Sequence, residues 1–519
     1  MTQYLLAAEA DQIQNLLFRS AHLQQVVGGS QLLTSICRRD VYTLLEITLQ
    51  ERYNPDHVIV SDGGGFRIIF DNIEDAVALG RLLANYYKQV TGSTLSVAEP
   101  VPFNDSSFHE SMRMASEALK KVKMSGGPPV AVEQFPYMAV CASCGMAPAS
   151  KYGEIRKNER PNYTCPHCKA KGNYREDDFR QDFRDCVYSC QKGNELPSLS
   201  FINSADDVAA LDDKNYVAYL LADGNDMGTW FGRCVNKRQM NFFSTQLSHV
   251  LRQSIARPSV PLITKHTIKK NNSLLPVMPL VLGGDDLFAL LPARWAIHYT
   301  MEFCMQYEKE MMNVLENAEI TTGADRPTVS AAVVICKGKY PYTLAYQYGK
   351  ELLRESKQLS KELASRYVYS SSVNFGVLTG NEIIPQNGEK DLTTFLPYTL
   401  ERFKGPGLGD LIEQRLSLWN VPAAWRAQLK SLYIHHDYTE LAWDKKLKGY
   451  LARLTELDSK AGEKLKTALL GLGNEDRESF PHWIDWKGTI YGHGLPDLLK
   501  AWDYLYYLDK DIKDYQEEG

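Results

Sequence analysis

The chain contains the same succession of strands, turns and helices twice, and this duplication constrains the fold more than any other feature. An apolar strand near residue 5 aligns with one near residue 220 when Glu9 is placed on Asp223. Further along, the strand, glycine turn and strand of residues 58–70 align with those around residues 282–288. Predicted helices follow each hairpin and close each repeat, at about 73–90 and 293–316 and at 117–123 and 351–357.

A repeat of strand, helix, hairpin, helix and strand is typical of a ferredoxin-like fold, in which helices cover one face of an antiparallel sheet. We therefore predict an α+β protein with two ferredoxin-like domains. A length of 519 residues is too great for one core and leaves room for one or two further domains.

The second repeat carries carboxylates at two strand ends. Its hairpin turn reads Gly283-Gly284-Asp285-Asp286, and the upstream strand ends in Asp223-Gly224-Asn225-Asp226. Carboxylates from neighbouring strand ends suit divalent cations that hold a nucleoside triphosphate, and glycines let the phosphates come close. A solvated turn is the ordinary alternative for Gly-Asp. The two motifs in this order favour the metal site.

The first repeat lacks the turn carboxylates. Its turn reads Asp62-Gly63-Gly64-Gly65, so Gly64 and Gly65 stand where the second repeat has Asp285 and Asp286. We hypothesise that the two repeats face each other and form a composite site, in which the glycines of the first repeat receive a second nucleotide.

Four cysteines between the repeats have metal-ligand spacing. Two C-x2-C pairs are separated by twenty residues and comprise Cys141, Cys144, Cys165 and Cys168. This spacing predicts a tetrahedral structural zinc site with no open position. We expect His167 to be exposed. The basic side chains of this insert predict a solvated surface or a site that docks RNA or protein; they are Lys151, Arg156, Lys157, Arg160, Lys169, Lys171 and Arg175.

The remaining cysteines and the composition indicate an ordinary globular protein. Four cysteines are expected to be core residues, namely Cys37, Cys234, Cys304 and Cys336, and Cys186 and Cys190 are expected to be buried or unremarkable thiols. A formal charge of −5 argues against sequence-independent coating of nucleic acid. No stretch approaches about 18 continuous apolar residues, so we expect a cytoplasmic location and no membrane segment.

Together these motifs resemble the large polymerase-cyclase subunit of type III CRISPR effector complexes. That family has two Palm domains related to GGDEF cyclases, with a zinc insert between them. The resemblance covers about residues 1–380. It runs through the carboxylate and cysteine motifs and also through Glu9-Ala10-Asp11, Gly28-Gly29-Ser30, Lys339-Tyr340-Pro341 and the helix that ends at Lys357.

The resemblance implies synthesis of cyclic oligoadenylates from ATP with Mg²⁺ or Mn²⁺. Asp223, Asp285 and Asp286 would be the catalytic metal ligands, and Lys357 would contact the triphosphate. The nucleotide-binding set it implies is Gly224, Asn225, Asp226, Gly283, Gly284, Lys357, Gly63, Gly64, Gly65 and Ser30. Partners would be guide RNA, target RNA, other effector subunits, or a second copy of the chain.

The chain departs from the family in three respects. Asn225 replaces the second acid of the usual D-G-D motif, so that a water-mediated metal contact or Asp226 would have to compensate. The chain starts directly with the first repeat, so we expect no N-terminal nuclease activity; the isolated His435-His436-Asp437 is interpreted as an exposed turn or helix edge. The chain is also short for the family.

The predicted domains are a degenerate Palm at 1–128, a zinc insert at 129–205, a catalytic Palm at 206–385 and a helical domain at 386–519. Within the last, the apolar stripe from Leu495 to Tyr507 is expected to be core, and Trp483 with Trp486 an exposed patch. Two other functions remain open: a cyclase that makes another cyclic nucleotide, and a non-catalytic scaffold that binds RNA and partner subunits.

Overall fold

The architecture is taken from a computed structural model, which describes most of the chain. The described residues are 2–20, 22–125, 138–154, 160–173, 177–191, 196–202, 204–267, 274–378, 395–403, 405–419, 421–434, 440–473, 484–485 and 491–510. The candidate patch of Trp483 and Trp486 and the segment His435-His436-Asp437 lie outside them.

The first repeat, residues 3–125, is an antiparallel sheet with helices. Its strands are β1 (Gln3–Ala10), β2 (Val58–Asp62), β3 (Gly65–Phe70), β4 (Leu95–Val97) and β5 (Val101–Phe103). Its helices are α1 (Ile13–Phe18), α2 (Leu23–Ser35), α3 (Val41–Leu49), α4 (Ile73–Thr91) and α5 (Phe108–Ser125). The strand order is β2-β3-β1-β4, and β5 also pairs with β1.

The insert between the repeats is small and mixed. It comprises β6 (Lys151–Gly153), β7 (Asn162–Thr164), α6 (Pro166–Asn173), α7 (Asp177–Ser189), β8 (Ser200–Phe201) and α8 (Ala205–Ala209). Strands β6 and β7 form an antiparallel hairpin next to the cysteine pairs.

The second repeat, residues 216–399, has a larger sheet. Its strands are β9 (Tyr216–Gly224), β10 (Leu274–Leu275), β11 (Met278–Gly283), β12 (Asp286–Pro292), β13 (Val329–Lys337), β14 (Ser372–Val377) and β15 (Tyr398–Thr399). Its helices are α9 (Met227–Gly232), α10 (Lys237–Leu262), α11 (Ala296–Asn317) and α12 (Tyr342–Ala364). The order is β11-β12-β9-β13-β14-β15, while β10 pairs with β8 of the insert.

The two sheets share one topology, which confirms the predicted fold class. In both, the hairpin lies at one side of the first strand and the last strand of the motif at the other, as the orders β2-β3-β1-β4 and β11-β12-β9-β13 show. This is the ferredoxin-like order. Glu9 pairs with Gly65, and Asp223 pairs with Asp286. The register therefore agrees with the alignment that puts Gly65 on Asp286.

Helices of the first repeat pack on the sheet of the second and so bring the two repeats together. Leu17 and Val26 of α1 and α2 share one buried apolar cluster with Leu221 and Phe288 of the second sheet. Burial of such side chains stabilises the contact by roughly 1.5–3 kcal/mol each. Leu17, Leu221 and Phe288 of this contact form one wall of a cleft, which lies at the end of β9 and the start of β12.

The C-terminal region is helical and packs on the second repeat. It contains α13 (Leu408–Ser417), α14 (Ala423–Ile434), α15 (Glu440–Leu457), α16 (Ser459–Gly471) and α17 (Gly494–Lys500), with the short strands β16 (Ile484–Asp485) and β17 (Tyr491–Gly492). Leu495, Leu498, Leu505 and Leu508 are buried, which confirms that the terminal stripe is core. The helix ends at Lys500, and a 3₁₀ turn follows. Within the described residues, no helix has the length and apolarity needed to cross a membrane.

Candidate nucleotide and metal site

Three carboxylates of the second repeat converge at one end of its sheet. Asp223 near the end of β9 and Asp286 at the start of β12 are direct partners across the ladder. Asp285 lies in the turn between β11 and β12, and its carbonyl accepts a hydrogen bond from the Gly224 N–H at 3.4 Å. Gly284 makes this turn with a φ of +60°, in the left-handed region that favours glycine. Of the predicted catalytic residues, Asp223 and Asp286 therefore line one cleft, while Asp285 lies in the adjacent turn and lines a different cavity.

Burial and mutual repulsion raise the pKa values of Asp285 and Asp286. Burial, and then the charge of Asp223, raise the pKa of Asp285 to about 6. Burial also raises the pKa of Asp286, although its side chain reaches solvent in the cleft, and the charges of Asp223 and Asp285 add to the rise. Clustered oxygen donors whose negative charge is only partly balanced are the ligands that Mg²⁺ and Mn²⁺ prefer. Asp223 and Asp286, whose side chains are in contact, offer adjacent oxygen ligands for a divalent cation, whereas the three carboxylates do not form one compact ligand group in the structure.

Lys357 on α12 supplies the nearest positive charge. Its Nζ lies 2.5 Å from Asp223 Oδ2, and the lysine side chain is about one-third exposed. The predicted phosphate contact is therefore placed directly beside the carboxylates. Three further basic residues of α12 lie at spacings of three and four from Lys357 and from one another, and so share its face of the helix: Lys350, Arg354 and Lys361. Sequence reasoning did not predict them as site residues, although their helical spacing is visible in the sequence.

Asn225 is engaged within the fold. Its Nδ2 donates to Thr328 Oγ1 at 2.9 Å, and its Oδ1 accepts from Ser330 Oγ at 2.8 Å. Both ends of the amide thus tie the end of β9 to β13. Asp226 has a φ of +53° and precedes α9. It lines a cavity beside the carboxylates, where the missed basic residues Arg326 and Lys361 also lie.

Two cavities open beside Asp223 and Lys357, whereas Asp285 lines a separate cavity of about 560 Å³ together with Glu9, Asp62 and Gly284. One, of about 250 Å³, lies between the repeats and is lined by Ser30 and Gly63 from the first repeat and by Asp223, Gly283, Asp286 and Lys357 from the second. Phe18 and Tyr346 stack at 3.7 Å between ring centroids in its apolar wall. The other, of about 300 Å³, is polar and includes Gly224, Asn225, Asp226, Arg326, Lys357 and Lys361.

The glycine turns of the two repeats face each other. A Cβ added to Gly63 would lie 3.5 Å from the Gly284 Cα. Gly64 has a φ of +81°, and a Cβ there would lie 2.9 Å from the Ala10 Cβ and from Ile13 Cδ1. Gly65 has more room, with its nearest neighbour at 3.5 Å. The first repeat therefore excludes a side chain at the position equivalent to Asp285.

The four cysteines of the insert form one cluster. Their sulfur atoms lie within 4.8 Å of one another. Hydrogen bonds from Cys165 and Cys168 hold the pKa of Cys144 well below the usual range of a thiol. Gly145 adopts a φ of +66° in the first knuckle, and the Cys168 N–H donates to Cys165 Sγ at 3.4 Å. Four sulfurs at this spacing fit a tetrahedral metal site.

The insert docks on the first repeat through groups that were predicted to be exposed. His167 is half-buried against Gly92, where a Cβ would lie 2.6 Å from the ring, so the prediction of an exposed His167 is wrong. Lys171 is fully buried and donates to the Leu16 carbonyl, in contrast to the predicted solvated surface. The Gln25 side chain also donates to the Cys168 carbonyl at 3.1 Å. Of the other basic residues, Lys151, Arg160 and Lys169 are exposed, whereas Arg156, Lys157 and Arg175 lie outside the described residues.

The other cysteines agree with the expectation of core or buried thiols. Cys37, Cys234, Cys304 and Cys336 are buried, and Cys186 and Cys190 are half-buried. Burial raises the pKa of Cys37 to about 12, which keeps this thiol protonated.

Comparison with known proteins gives the family of the second repeat. Residues 216–364 match the family described as Cas10/Cmr2, second palm domain. No match was found among curated protein sequences. The chain thus belongs to the class of proteins with two Palm domains. It has two ferredoxin-like Palm domains, carboxylates at the strand ends of the second, and a four-cysteine insert between them.

Solved structures share the fold at low sequence identity. The crystal structure of the Csm1–Csm4 cassette in complex with pppApA matches with a TM-score of 0.53 and 12% identity, over 98% of this chain and 70% of that chain. The cassette in complex with cA4 gives 0.50 and 14%, over 91% and 70%. Csm1 from T. onnurineus gives 0.50 and 13%, over 87% and 64%. The chain therefore contains a second palm domain of the Cas10/Cmr2 type and shares the fold of the Csm1 structures.

Proposed function

We propose that the protein is a metal-dependent nucleotidyltransferase that converts ATP to cyclic oligoadenylate messengers in CRISPR-type antiviral defence. The observation that carries this proposal is the pairing of Asp223 and Asp286 beside Lys357, at a cleft shared by both repeats, with Asp285 in the adjacent turn. The Csm1–Csm4 structures with pppApA and cA4, which share the fold, support the same class of substrate and product.

The three carboxylates would hold Mg²⁺ or Mn²⁺. Bound there, the cation would supply positive charge to the phosphates and lower the pKa of a ribose 3′-hydroxyl. Lys357, Lys361, Arg233 and Arg326 of the polar cavity suit a triphosphate, because guanidinium and ammonium groups donate to phosphate oxygens. Gly283 and Gly228 have open space at the position of a Cβ and leave room for the phosphate chain.

The first repeat would position the second nucleotide. Ser30 and Gly63 line the cleft opposite Asp223 and Asp286, and the apolar wall around Phe18, Phe288 and Tyr346 suits a nucleobase. With both nucleotides held in this cleft, orientation and charge compensation would carry most of the rate, and little side-chain acid–base chemistry would be needed.

The remaining roles follow from the same proposal. Zinc would be the metal of the four-cysteine cluster and would have a structural role. Because the similar structures are Csm1–Csm4 cassettes, a second effector subunit is the proposed protein partner, together with guide and target RNA.

A scaffold role is the second candidate. It is favoured by Asn225, whose amide is fully engaged with Thr328 and Ser330 and leaves the upstream strand with one acid fewer than the family motif. Such a protein would bind RNA and partner subunits without turnover.

Product analysis separates these functions. The purified protein is incubated with each labelled nucleoside triphosphate and Mn²⁺, with and without RNA, and the products are resolved by mass. Cyclic adenylates from ATP are expected. A cyclic product from another nucleotide would instead identify a different cyclase, and the absence of product under every condition would favour the scaffold.

A further inference from the structure

A further cavity lies between the repeats and shares Asp62 with the nucleotide cleft. It has a volume of about 510 Å³ and is lined by Arg38 and Tyr42 from the first repeat and by Asn241, Gln246, His249 and Arg252 from α10 of the second. This volume is in the range of sites for small organic ligands. Neither the metal site nor the proposed nucleotide contacts use these residues.

Arg252 at this cavity is buried without a partner. The side chain is 9% exposed, and its Nε has no hydrogen-bond acceptor. Across the part of the chain that the structure describes, the Arg252 side chain makes no hydrogen bond and no ion pair. Burial lowers the pKa of Arg252, and the nearby charge of Arg38 lowers it further. A buried charge in this condition is unfavourable unless an anion pairs with it.

The other charges around the cavity leave this need unmet. Arg38 and His249 are exposed and line the same cavity. Arg38 adds a positive charge, and His249 adds another when its imidazole is protonated. Asp62 is the carboxylate in the lining, but its Oδ2 accepts from Ser248 Oγ at 2.7 Å and its Oδ1 from the Gly63 N–H at 2.9 Å. Asp182 on α7 gives Arg252 further electrostatic compensation without a direct contact.

We propose that this cavity binds a small anion with a terminal phosphate group, held by Arg252 inside and by Arg38 and His249 at the mouth. Guanidinium groups match phosphate oxygens in geometry and charge. A terminal phosphate can reach a buried guanidinium because one end of it is unsubstituted. A phosphodiester within a strand carries a nucleoside on either side, which hinders its approach to Arg252. The occupant bridges the two repeats, because Arg38 belongs to the first and Arg252 to the second.

The site also connects to the catalytic cleft. Asp62, which lines this cavity, is followed by Gly63, and Gly63 faces Gly284 of the carboxylate turn. An anion here therefore acts next to the interface at which the two turns meet. The inference does not depend on the proposed nucleotidyltransferase activity.

Calorimetric titration of the full-length protein with pyrophosphate, without added Mg²⁺ or Mn²⁺, tests the site. Arg252→Met removes the charge and keeps the apolar stem, while Arg238→Met removes an exposed charge from the same helix outside the cavity. We expect the wild-type protein and Arg238→Met to bind pyrophosphate and Arg252→Met to bind at least tenfold more weakly. Equal affinity of Arg252→Met and wild type, or no binding by the wild type, would overturn the proposal.

Two further readouts separate ligand binding from a structural role of Arg252. Without anion, Arg252→Met should unfold at a temperature no lower than the wild type, because it removes an unpaired buried charge; a lower temperature would contradict the proposal. AMP should compete with pyrophosphate, whereas the dinucleotide ApA, which has only a phosphodiester, should not. Competition by ApA as effective as that by AMP would overturn the assignment of a terminal phosphate.

Discussion

Lys357 and Asp223 form an ion pair at the candidate site, with Nζ and Oδ2 2.5 Å apart. Lys123 and Glu9 form the corresponding pair in the first repeat at 2.6 Å. Both repeats therefore bring a lysine from the closing helix to the acid at the end of the first strand. The lysine–acid pair therefore occurs in both repeats and belongs to their common fold. The two aspartates of the turn, Asp285 and Asp286, occur only in the second repeat and are specific to the candidate site.

Substitution of the two lysines should separate these roles. Lys357→Met is expected to weaken ATP binding about tenfold or more, because it removes a phosphate contact beside the carboxylates. Lys123→Met is the matched control and should change ATP affinity less than threefold. The measurement is equilibrium binding of labelled ATP with Mn²⁺. Equal losses in the two variants would show that the pair acts only through the fold.

Asp285 should make stability depend on pH. Its pKa of about 6 in the folded protein is above the ordinary value of 3.8, so the folded state binds the proton more tightly than the unfolded state. Stability from this group is therefore greatest at low pH and is lost as the pH rises from about 4 through 6. The shift corresponds to at most about 3 kcal/mol at neutral pH.

Asp285→Asn should accordingly raise the unfolding temperature at pH 7.5 without added divalent ions, and the gain should vanish near pH 4. Glu99→Gln, a change at an exposed carboxylate, is the control and should have little effect. Thermal unfolding followed by circular dichroism checks this. A lower unfolding temperature for Asp285→Asn at pH 7.5 would contradict the account of the carboxylate cluster.

Loss of the proposed zinc from the cysteine cluster should loosen the first repeat. Cys165→Ser removes one of four ligands, and the insert contacts α1 and α2 through Lys171 and Gln25. We expect loss of bound zinc by elemental analysis and faster hydrogen exchange in α1 and α2, with β9 and β13 unchanged. Cys186→Ser, at a half-buried cysteine outside the cluster, should retain zinc and normal exchange. Normal exchange in zinc-free Cys165→Ser would contradict this role.

The glycine turn of the first repeat offers a matched pair of substitutions. Gly64→Ala places a Cβ 2.9 Å from two neighbours at a φ of +81° and should lower the free energy of unfolding by about 1–3 kcal/mol. Gly65→Ala meets its nearest atom at 3.5 Å and should lower it by less than about 1 kcal/mol. Chemical denaturation measures both. A larger loss for Gly65→Ala would be inconsistent with the packing of this turn.

The repeat and the carboxylates could be predicted from the sequence because both are local patterns. Apolar strands joined by glycine turns define the hairpins, and the separate alignment of the two hairpins already places Gly65 on Asp286, as the register does. The fold class follows from the order of these elements.

Other parts of the site depend on contacts between distant segments. The partners of Asn225 lie more than a hundred residues away, just before and at the start of β13, so its local motif does not show that its amide is engaged. The burial of His167 and Lys171 likewise depends on contacts with distant parts of the first repeat, namely Gly92 after α4 and Leu16 of α1. The unpartnered Arg252 on α10 has no sequence signal, because its cavity forms only where the repeats meet.

The most direct test of the central claim is product analysis with ATP and Mn²⁺, comparing the wild type with the double variant Asp285→Asn/Asp286→Asn. The account predicts cyclic oligoadenylates from the wild type in the presence of its RNA and partner subunit. It predicts at least a hundredfold less product from the variant, with unchanged zinc content. Equal product from both proteins, or none from the wild type in the complete complex, would contradict it.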